Sequence, residues 1–125
     1  MTDNLVGAWE LVSFHDVTDT GEHREGPLGP SPRGTLLYTA NGHVSVSMMT
    51  TAAAVPAYMG YAGRWHRREG QVVHRIEVSS RADWIGVEQT REAELRGDEL
   101  LVHAVREVDG RPRRRTLHWR RVAAN

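Results

Sequence analysis

The sequence predicts an all-β protein: an eight-stranded, mainly antiparallel up-and-down β-barrel with a central cavity. Runs of alternating polar and apolar residues, the period of half-buried strands, follow one another along the chain. Short turn signals at Glu69-Gly70, Gly97-Asp98 and Asp109-Gly110 separate several of these runs. We predict no long helix, and eight antiparallel strands can close into a barrel that holds one small ligand.

Length, charge and composition narrow the classes of function. A chain of 125 residues is expected to form one domain, residues 1–125. The formal net charge is zero, so neither nucleic acid nor an anionic membrane is an expected partner. There is no cysteine, which excludes disulfides, a thiol nucleophile and a zinc–thiolate site. No apolar run has the length of a signal sequence or a membrane span, so we expect a cytoplasmic protein.

The first predicted strand runs from Glu10 to Val17. Alternation divides its neighbourhood into two faces and does not decide which is inner. One face carries Trp9, Leu11, Ser13 and His15, and the other carries Glu10, Val12, Phe14 and Asp16. Residues 16–34 are polar and rich in glycine and proline, and we predict a long loop there.

The next hairpin joins Thr35–Thr39 to His43–Met49. A three-residue loop, Ala40-Asn41-Gly42, aligns Leu36 and Tyr38 with the apolar residues of the second strand, whereas a two-residue loop would pair them with serines. We therefore favour the three-residue loop with Gly42 in the left-handed region. The following segment, Ala52–Tyr58, is interpreted as a flap over one end of the barrel.

The centre of the chain predicts the inner surface. A two-residue turn at Glu69-Gly70 pairs Trp65 with His74, Gly63 with Ile76 and Tyr61 with Val78. The inner face of the next strand is predicted to carry Ile85, Val87, Gln89, Arg91, Ala93 and Leu95. A turn at Gly97-Asp98 then pairs Leu95 with Leu100, Ala93 with Val102, Arg91 with Ala104 and Gln89 with Arg106. Polar side chains inside a small barrel need partners or water, so the cavity is expected to be wet.

Several segments carry a family resemblance. Gly7-Ala8-Trp9 resembles the Gly-x-Trp signature of the lipocalin and calycin group, and Leu117-His-Trp-Arg-Arg-Val122 resembles its closing strand. The order of segments is similar to that of the small bacterial lipocalin-like domain family. These segments are Leu5-Val-Gly-x-Trp-x-Leu-Val-Ser-Phe14, Leu37-Tyr-Thr-x-x-Gly-x-Val44, Tyr61-Ala-Gly63, Val73-His74, Trp84-Ile-Gly86 and Leu95-x-Gly-Asp-x-Leu100.

The resemblance implies a lipocalin-like barrel in which Trp9 points inward at the closed end. Ser13 and His15 would then face inward as well, because they share the face of Trp9. A basic residue of the last strand, Arg120 or Arg121, would pack across the indole as a structural plug. Some members of the family are associated with natural-product biosynthesis, but the resemblance implies no catalytic residue.

The candidate catalytic residues are His74, Tyr61 and Arg91. An imidazole with a near-neutral pKa suits proton transfer, although a core histidine bonded to a neighbour is an equal alternative. An inner arginine without an inner carboxylate is a natural receptor for a ligand carboxylate, enolate or phenolate. The further candidates for ligand binding are Gln89, Trp65, Tyr38, Ser13, His15 and Arg106.

Other chemistries have weaker support. The seven histidines show neither HxH nor HExxH spacing, so we expect no metal and no organic cofactor, with heme held by one histidine as a remote alternative. The run Arg111-Pro-Arg-Arg-Arg115 lacks interleaved aromatic residues, and we interpret it as a solvated turn and strand start.

Two functions follow from this cavity, and both require a small-molecule partner. The first is a cofactor-independent enzyme of secondary metabolism that isomerises or cyclises a partly apolar, oxygen-rich metabolite by acid–base chemistry. The second is a carrier that only binds such a ligand. Interior polarity favours the enzyme, because a pure carrier needs fewer titratable groups.

Overall fold

The computed structural model describes residues 4–51 and 57–123, which contain nine β-strands and one 3₁₀ turn. The strands are β1 (Gly7–Thr18), β2 (His23–Glu25), β3 (Arg33–Tyr38), β4 (His43–Met49), β5 (Tyr58–Arg68), β6 (Gln71–Ser79), β7 (Glu88–Arg96), β8 (Glu99–Val108) and β9 (Arg111–Arg121). The 3₁₀ turn, Ala82–Trp84, lies between β6 and β7. In the described ranges there is no helix long and apolar enough to cross a bilayer.

The strands form one closed antiparallel sheet. Each strand from β3 to β8 pairs with the next one along the chain, and β1 pairs with both β3 and β9. Eight strands, β1 and β3 to β9, therefore form the closed barrel. The short β2 pairs with the second half of β1, on the same edge whose first half pairs with β3. The predicted eight-stranded up-and-down barrel is confirmed.

The closed end of the barrel is organised around Trp9, which is fully buried. Its indole Nε1–H donates to the Leu5 carbonyl oxygen at 2.9 Å, so the one polar atom of the ring is satisfied. The Arg121 guanidinium lies 4.3 Å from the ring centroid and donates to the Val6 carbonyl oxygen at 2.9 Å. The plug interpretation is confirmed, with Arg121 as the basic residue.

The β3–β4 hairpin has the predicted register. Leu36 pairs with Val46 and Tyr38 pairs with Val44. Gly42 closes the loop at φ 87°, in the left-handed region that glycine adopts without strain. All four of these paired side chains are buried, so the hairpin presents one apolar face to the core.

A β-bulge in β1 changes which residues face inward. The pairing of β1 with β9 shifts register between Leu11 and Ser13, and the side chain of Val12 is 40% exposed. Beyond the bulge Phe14 and Asp16 are buried, and their pairing partners in β9 are inner residues. The expectation that Ser13 and His15 face the interior is therefore wrong.

A second bulge, next to Gly63, moves the partner of Tyr61 from the predicted Val78 to Ser79. A Cβ atom at Gly63 would lie 1.8 Å from the Arg75 carbonyl oxygen, so a side chain here would force the strands apart. Val78 is turned outward and is 61% exposed. Tyr61 still faces the cavity, because the extra residue belongs to β6 and leaves the alternation of β5 unchanged.

The other pairs predicted around Glu69-Gly70 are confirmed, including Trp65 with His74. The start of β7 is not as predicted, since the strand begins at Glu88 rather than Ile85. The 3₁₀ turn and Gly86, at φ 85°, interrupt the extended backbone. Ile85 and Val87 are consequently 54% and 40% exposed instead of lining the interior.

The β7–β8 ladder also ends earlier than predicted. The pairs Leu95–Leu100 and Ala93–Val102 are confirmed, and the ladder continues only to Glu92 paired with His103. The predicted pairs Arg91–Ala104 and Gln89–Arg106 lie beyond its end. All four of these side chains border the internal cavity, so β7 and β8 part where the barrel opens.

The predicted loop over residues 16–34 is partly ordered as strand. β1 continues to Thr18, and β2 pairs with it through residues 23–25. Leu28, further along, is buried in the core cluster and covers part of the barrel. The predicted flap falls mainly on residues 52–56, which lie outside the described residues, and Tyr58 already belongs to β5.

Trp9→Ala is expected to lower the free energy of unfolding by about 3–5 kcal/mol, because it empties the closed end and leaves Arg121 without its aromatic partner. Urea denaturation measures this change. Val78→Ala on the exposed face serves as a control and is expected to cost less than about 0.5 kcal/mol. A Trp9→Ala protein with unchanged stability but impaired ligand binding would contradict the structural role.

Candidate functional site

A cavity of about 510 Å³ occupies the open part of the barrel. Much of its wall is apolar, with contributions from Leu36, Val46, Met48, Met59, Leu117 and Trp119. Its polar lining consists of Tyr38, Tyr61, His74, Gln89, Arg81, Arg91, Arg106 and Arg115. This volume and this mixture are typical of a site for one small organic molecule.

Three polar side chains form a hydrogen-bonded chain across the cavity. Tyr38 projects from β3, Tyr61 from β5 and His74 from β6. The Tyr38 hydroxyl lies 2.6 Å from His74 Nε2, and the Tyr61 hydroxyl lies 2.6 Å from His74 Nδ1. Both ring nitrogens therefore have partners, which allows an imidazole that is only 5% exposed to stay in an apolar wall.

His74 and Tyr61 are both electrically neutral near pH 7. Burial, and secondly the positive charge of Arg91, lower the pKa of His74 to about 4. Burial raises the pKa of Tyr61 well above its usual value, although Arg91 opposes this effect. A neutral imidazole has one N–H donor and one bare nitrogen, so one tyrosine donates to the ring and the other accepts from it.

Arg91 projects from β7 into the same cavity and forms no ion pair with an acidic side chain of the described residues. Within residues 4–51 and 57–123 its guanidinium donates one hydrogen bond, from Nη1 to the Thr90 carbonyl oxygen at 3.0 Å. Burial lowers the pKa of Arg91, the nearby Tyr61 opposes this, and the positive charge of Arg115 adds to the lowering. Arg91 is thus a partly buried cation next to a second one.

Arg115 differs from Arg91 because it has a carboxylate partner. Its Nε donates to Asp16 Oδ1 at 2.9 Å, and its Nη2 donates to Asp16 Oδ2 at 3.3 Å. Asp16 is only 3% exposed, and the guanidinium also lies over the Phe14 ring. This pair was not predicted. Because Arg115 alternates with Leu117 and Trp119 on one strand, the sequence could have identified it as an inward-facing residue.

The basic run of β9 is only partly the solvated segment that we predicted. Arg111 pairs with Asp19 and Arg114 pairs with Glu92 on the outside of the barrel. Arg115, however, borders the cavity. These ion pairs connect the run to acidic residues of the same barrel.

The mouth of the cavity carries two more arginines. Arg106 is exposed and lies at the rim, as expected from its inner face. Arg81 pairs with Asp83 at 2.7 Å and lies 4.6 Å over the Trp84 ring, which in turn meets the edge of Tyr61. Arg81 and Trp84 were not among the candidate residues, because the 3₁₀ turn that positions them has no clear sequence signal.

Six of the nine candidate residues line the cavity: Tyr38, Tyr61, His74, Gln89, Arg91 and Arg106. Trp65 does not border it but packs against the Tyr38 ring at a centroid distance of 4.7 Å and donates to the Thr39 carbonyl oxygen. Ser13 and His15 lie on the outer face, where His15 stacks on His23. In the described part of the chain, His, Asp and Glu form no group of three that could hold a metal ion.

The lowered pKa of His74 predicts a pH-dependent stability. The unfolded state takes up the proton at a pKa near 6.5 and the folded state near 4, so stability is complete above the first value and is lost as pH falls toward the second. Between about pH 7 and pH 5 the loss from His74 is expected to be about 2 kcal/mol. Urea denaturation at the two pH values measures it.

His74→Gln keeps a donor and an acceptor but cannot titrate, so its loss over the same pH range is expected to be smaller. His15 and His103, whose pKa values are also lowered, contribute equally to both proteins. His66→Gln on the exposed face of β5 is the matched control and should behave as the parent protein. Equal pH dependence in the parent and in His74→Gln would contradict a neutral, buried imidazole.

Comparisons with known proteins agree with this architecture. The profile of the lipocalin-like domain matches residues 6–54 and 49–122. The 4'-hydroxy-3'-methoxypropiophenone carrier protein ppsC of Aspergillus oryzae (strain ATCC 42149 / RIB 40) is 31% identical over 99 residues, which cover 71% of this chain and 89% of that protein. The chain belongs to the lipocalin-like domain family.

Proposed function

We propose that the protein is a carrier that binds a small, partly apolar, oxygen-rich metabolite without changing it. The observation that carries this proposal is the cavity of about 510 Å³, whose lining combines apolar side chains with eight polar ones. Such a wall binds a hydrocarbon or aromatic skeleton, and the polar groups orient its oxygens. We also propose that the protein is cytoplasmic.

The protonation states in the cavity support binding more than proton transfer. A general acid or base works best when its pKa lies near the working pH. The pKa of His74 is lowered to about 4, and that of Tyr61 is raised. Near neutral pH both groups are therefore neutral hydrogen-bonding partners, which suits recognition of a ligand oxygen.

The similarity to ppsC supports the same proposal. The ligand in the name of that protein is an aryl ketone that bears a phenolic hydroxyl and a methoxy group. One aromatic ring with three oxygens has the composition that this cavity favours, with a ring for the apolar wall and oxygens for the tyrosines and arginines. We propose an aromatic, oxygenated metabolite of this kind as the ligand class.

An acid–base isomerase or cyclase of secondary metabolism is the second candidate. The observation that favours it is the placement of Tyr61, His74 and Arg91 on one cavity, where the arginine is near the tyrosine–histidine pair. A cation beside a proton-transfer group is the arrangement that stabilises an enolate while a proton moves. Product analysis separates this candidate from the carrier.

The experiment is calorimetric titration with 4'-hydroxy-3'-methoxypropiophenone, followed by mass spectrometry of the recovered compound. For a carrier we expect saturable one-to-one binding and quantitative recovery of unchanged compound. His74→Gln and Tyr61→Phe are expected to weaken affinity, because each alters the hydrogen-bonded chain that faces the ligand.

The same protein purified from its host provides a second sample, in which native mass spectrometry identifies any retained ligand. Conversion of a retained or added compound, slowed about 10²–10⁴-fold by His74→Gln, would instead establish the enzyme. Glu77→Gln on the exposed face of β6 is the control for nonspecific effects on binding. The carrier would be rejected if the protein neither bound the added compound saturably nor retained a ligand during purification.

A further inference from the structure

We propose that the cavity binds its ligand as an oxyanion attached to an aromatic ring, with the charged oxygen between the Arg91 guanidinium and the Tyr61 hydroxyl. This inference rests on the proposed carrier function and specifies the protonation state of its ligand. Three independent features of the described residues lead to it: the charge balance of the cavity, the proton count of the tyrosine–histidine chain, and the composition of the wall.

The charge balance of the cavity is positive. Of the residues that the structure describes, four arginines border it, and none of the bordering residues is Asp or Glu. Arg81 and Arg115 are neutralised by Asp83 and Asp16, which are not among the lining residues. Arg91 and Arg106 pair with no carboxylate among the described residues.

An unpaired cation in a partly buried site is costly unless an anion or water accompanies it. The cost is greatest at Arg91, because it is less exposed than Arg106 and lies close enough to Arg115 for their charges to repel. An anionic ligand relieves both the desolvation and the repulsion. A guanidinium has five N–H donors and no acceptor, so a neutral hydroxyl donor offers it far less than an oxyanion does.

The proton count supplies the second partner. Tyr38, neutral His74 and Tyr61 carry three protons on oxygen or nitrogen, yet only two hydrogen bonds join them. One terminal O–H must therefore point outside the chain. Two arrangements satisfy this count, and we propose the one in which Tyr38 donates to Nε2 and Nδ1–H donates to Tyr61. The Tyr61 O–H then remains available for an acceptor in the cavity.

Tyr61 and Arg91 border the same cavity, and the charge of Arg91 also affects the pKa of Tyr61. Tyr61 also resists ionisation, so it remains a donor when an anion approaches. In the proposed site one ligand oxygen accepts from the Tyr61 hydroxyl and from the Arg91 guanidinium, which line the same cavity. Such charge-assisted hydrogen bonds are roughly twice as strong as neutral ones.

The wall next to this position suits an aromatic ring. The Trp84 ring meets Tyr61 edge-on, with ring centroids 6.1 Å apart. Met48 and Met59 border the same cavity, and their flexible thioethers pack well against aromatic rings. A phenolate or an arene carboxylate would place its ring against these side chains and its charge at Arg91.

The test compares three probes by calorimetry and absorption spectroscopy from about pH 6 to pH 9. The first is 4'-hydroxy-3'-methoxypropiophenone, whose para-acyl group stabilises the phenolate and shifts its absorption to longer wavelength. We expect the bound probe to show the phenolate band at lower pH than the free probe, with its pKa lowered by at least about one unit, which means tenfold preference for the anion.

The second probe, 3',4'-dimethoxypropiophenone, cannot ionise. We expect it to bind at least about tenfold more weakly where the phenolate forms, with no pH dependence of its own. The third, 3,4-dimethoxybenzoate, carries its charge only on a carboxylate. Tight binding of the phenol assigns the oxyanion to a phenolate, whereas tight binding of the benzoate alone assigns it to a carboxylate, and both outcomes support the site.

Arg91→Gln is expected to reduce affinity for the anionic probes at least about tenfold and to abolish the spectral shift, while affinity for the dimethoxy ketone stays within about twofold. Tyr61→Phe is expected to give a smaller loss of the same kind. Arg75→Gln, an exposed arginine on the outer face of the neighbouring strand, is the matched control. Circular dichroism and melting temperature verify that each variant is folded.

Equal affinity for the phenol and its methyl ether, with a neutral absorption spectrum at every pH, would overturn the oxyanion site and leave the carrier function standing. If Arg91→Gln lost affinity for all three probes equally, the arginine would have a structural role only, and the oxyanion site would again be overturned. Failure of the parent protein to bind any of the three would reject the proposed function itself, and the oxyanion site with it.

Discussion

The charge of the cavity depends on the β-bulge in β1. By inserting Val12 as an extra residue, the bulge keeps Trp9 inside at the closed end and turns Asp16 inward at the open end. Without it, Asp16 would face solvent and Arg115 would be a half-buried cation with no carboxylate. Breaking a buried pair in this way typically costs about 3–5 kcal/mol. The bulge thus neutralises one of two adjacent arginines and leaves Arg91 as the cation that a ligand can meet.

The tyrosine–histidine chain complements this cation with rigid, neutral polarity. Tyr38 and His74 belong to strands separated by two others in the sheet, so their hydrogen bond crosses the interior of the barrel. Trp65 packs against the Tyr38 ring and holds it in place. Trp65 therefore supports the site although it does not border the cavity. Satisfied on both nitrogens, His74 is fixed in place, and the ligand meets groups whose positions are already set.

The barrel and most of its inner row were predictable because period-two alternation and short turns are local signals. Strand parity placed Tyr61, His74, Gln89 and Arg91 on the inner face correctly, although the predicted pairing partners of Tyr61, Gln89 and Arg91 were wrong. Alternation does not show where an extra residue enters, so Ser13 and His15 were placed inside. The large apolar residues occupy odd positions up to Leu11 and an even position at Phe14, and this change was the signal for the bulge in the sequence.

The Asp16–Arg115 pair could not be predicted from local pattern, because its partners are 99 residues apart and meet only when β1 and β9 close the barrel. An oxyanion site next to this pair bears on catalysis as well. Only interactions that strengthen in the transition state accelerate a reaction, whereas Arg91 and Tyr61 would stabilise an oxyanion already present in the bound ligand. With the pKa of His74 lowered to about 4, the imidazole is too weak a base to take a proton readily near pH 7. In the proposed carrier these properties would lower the energy of the bound ligand without lowering a barrier, which is what retention of an unchanged metabolite requires.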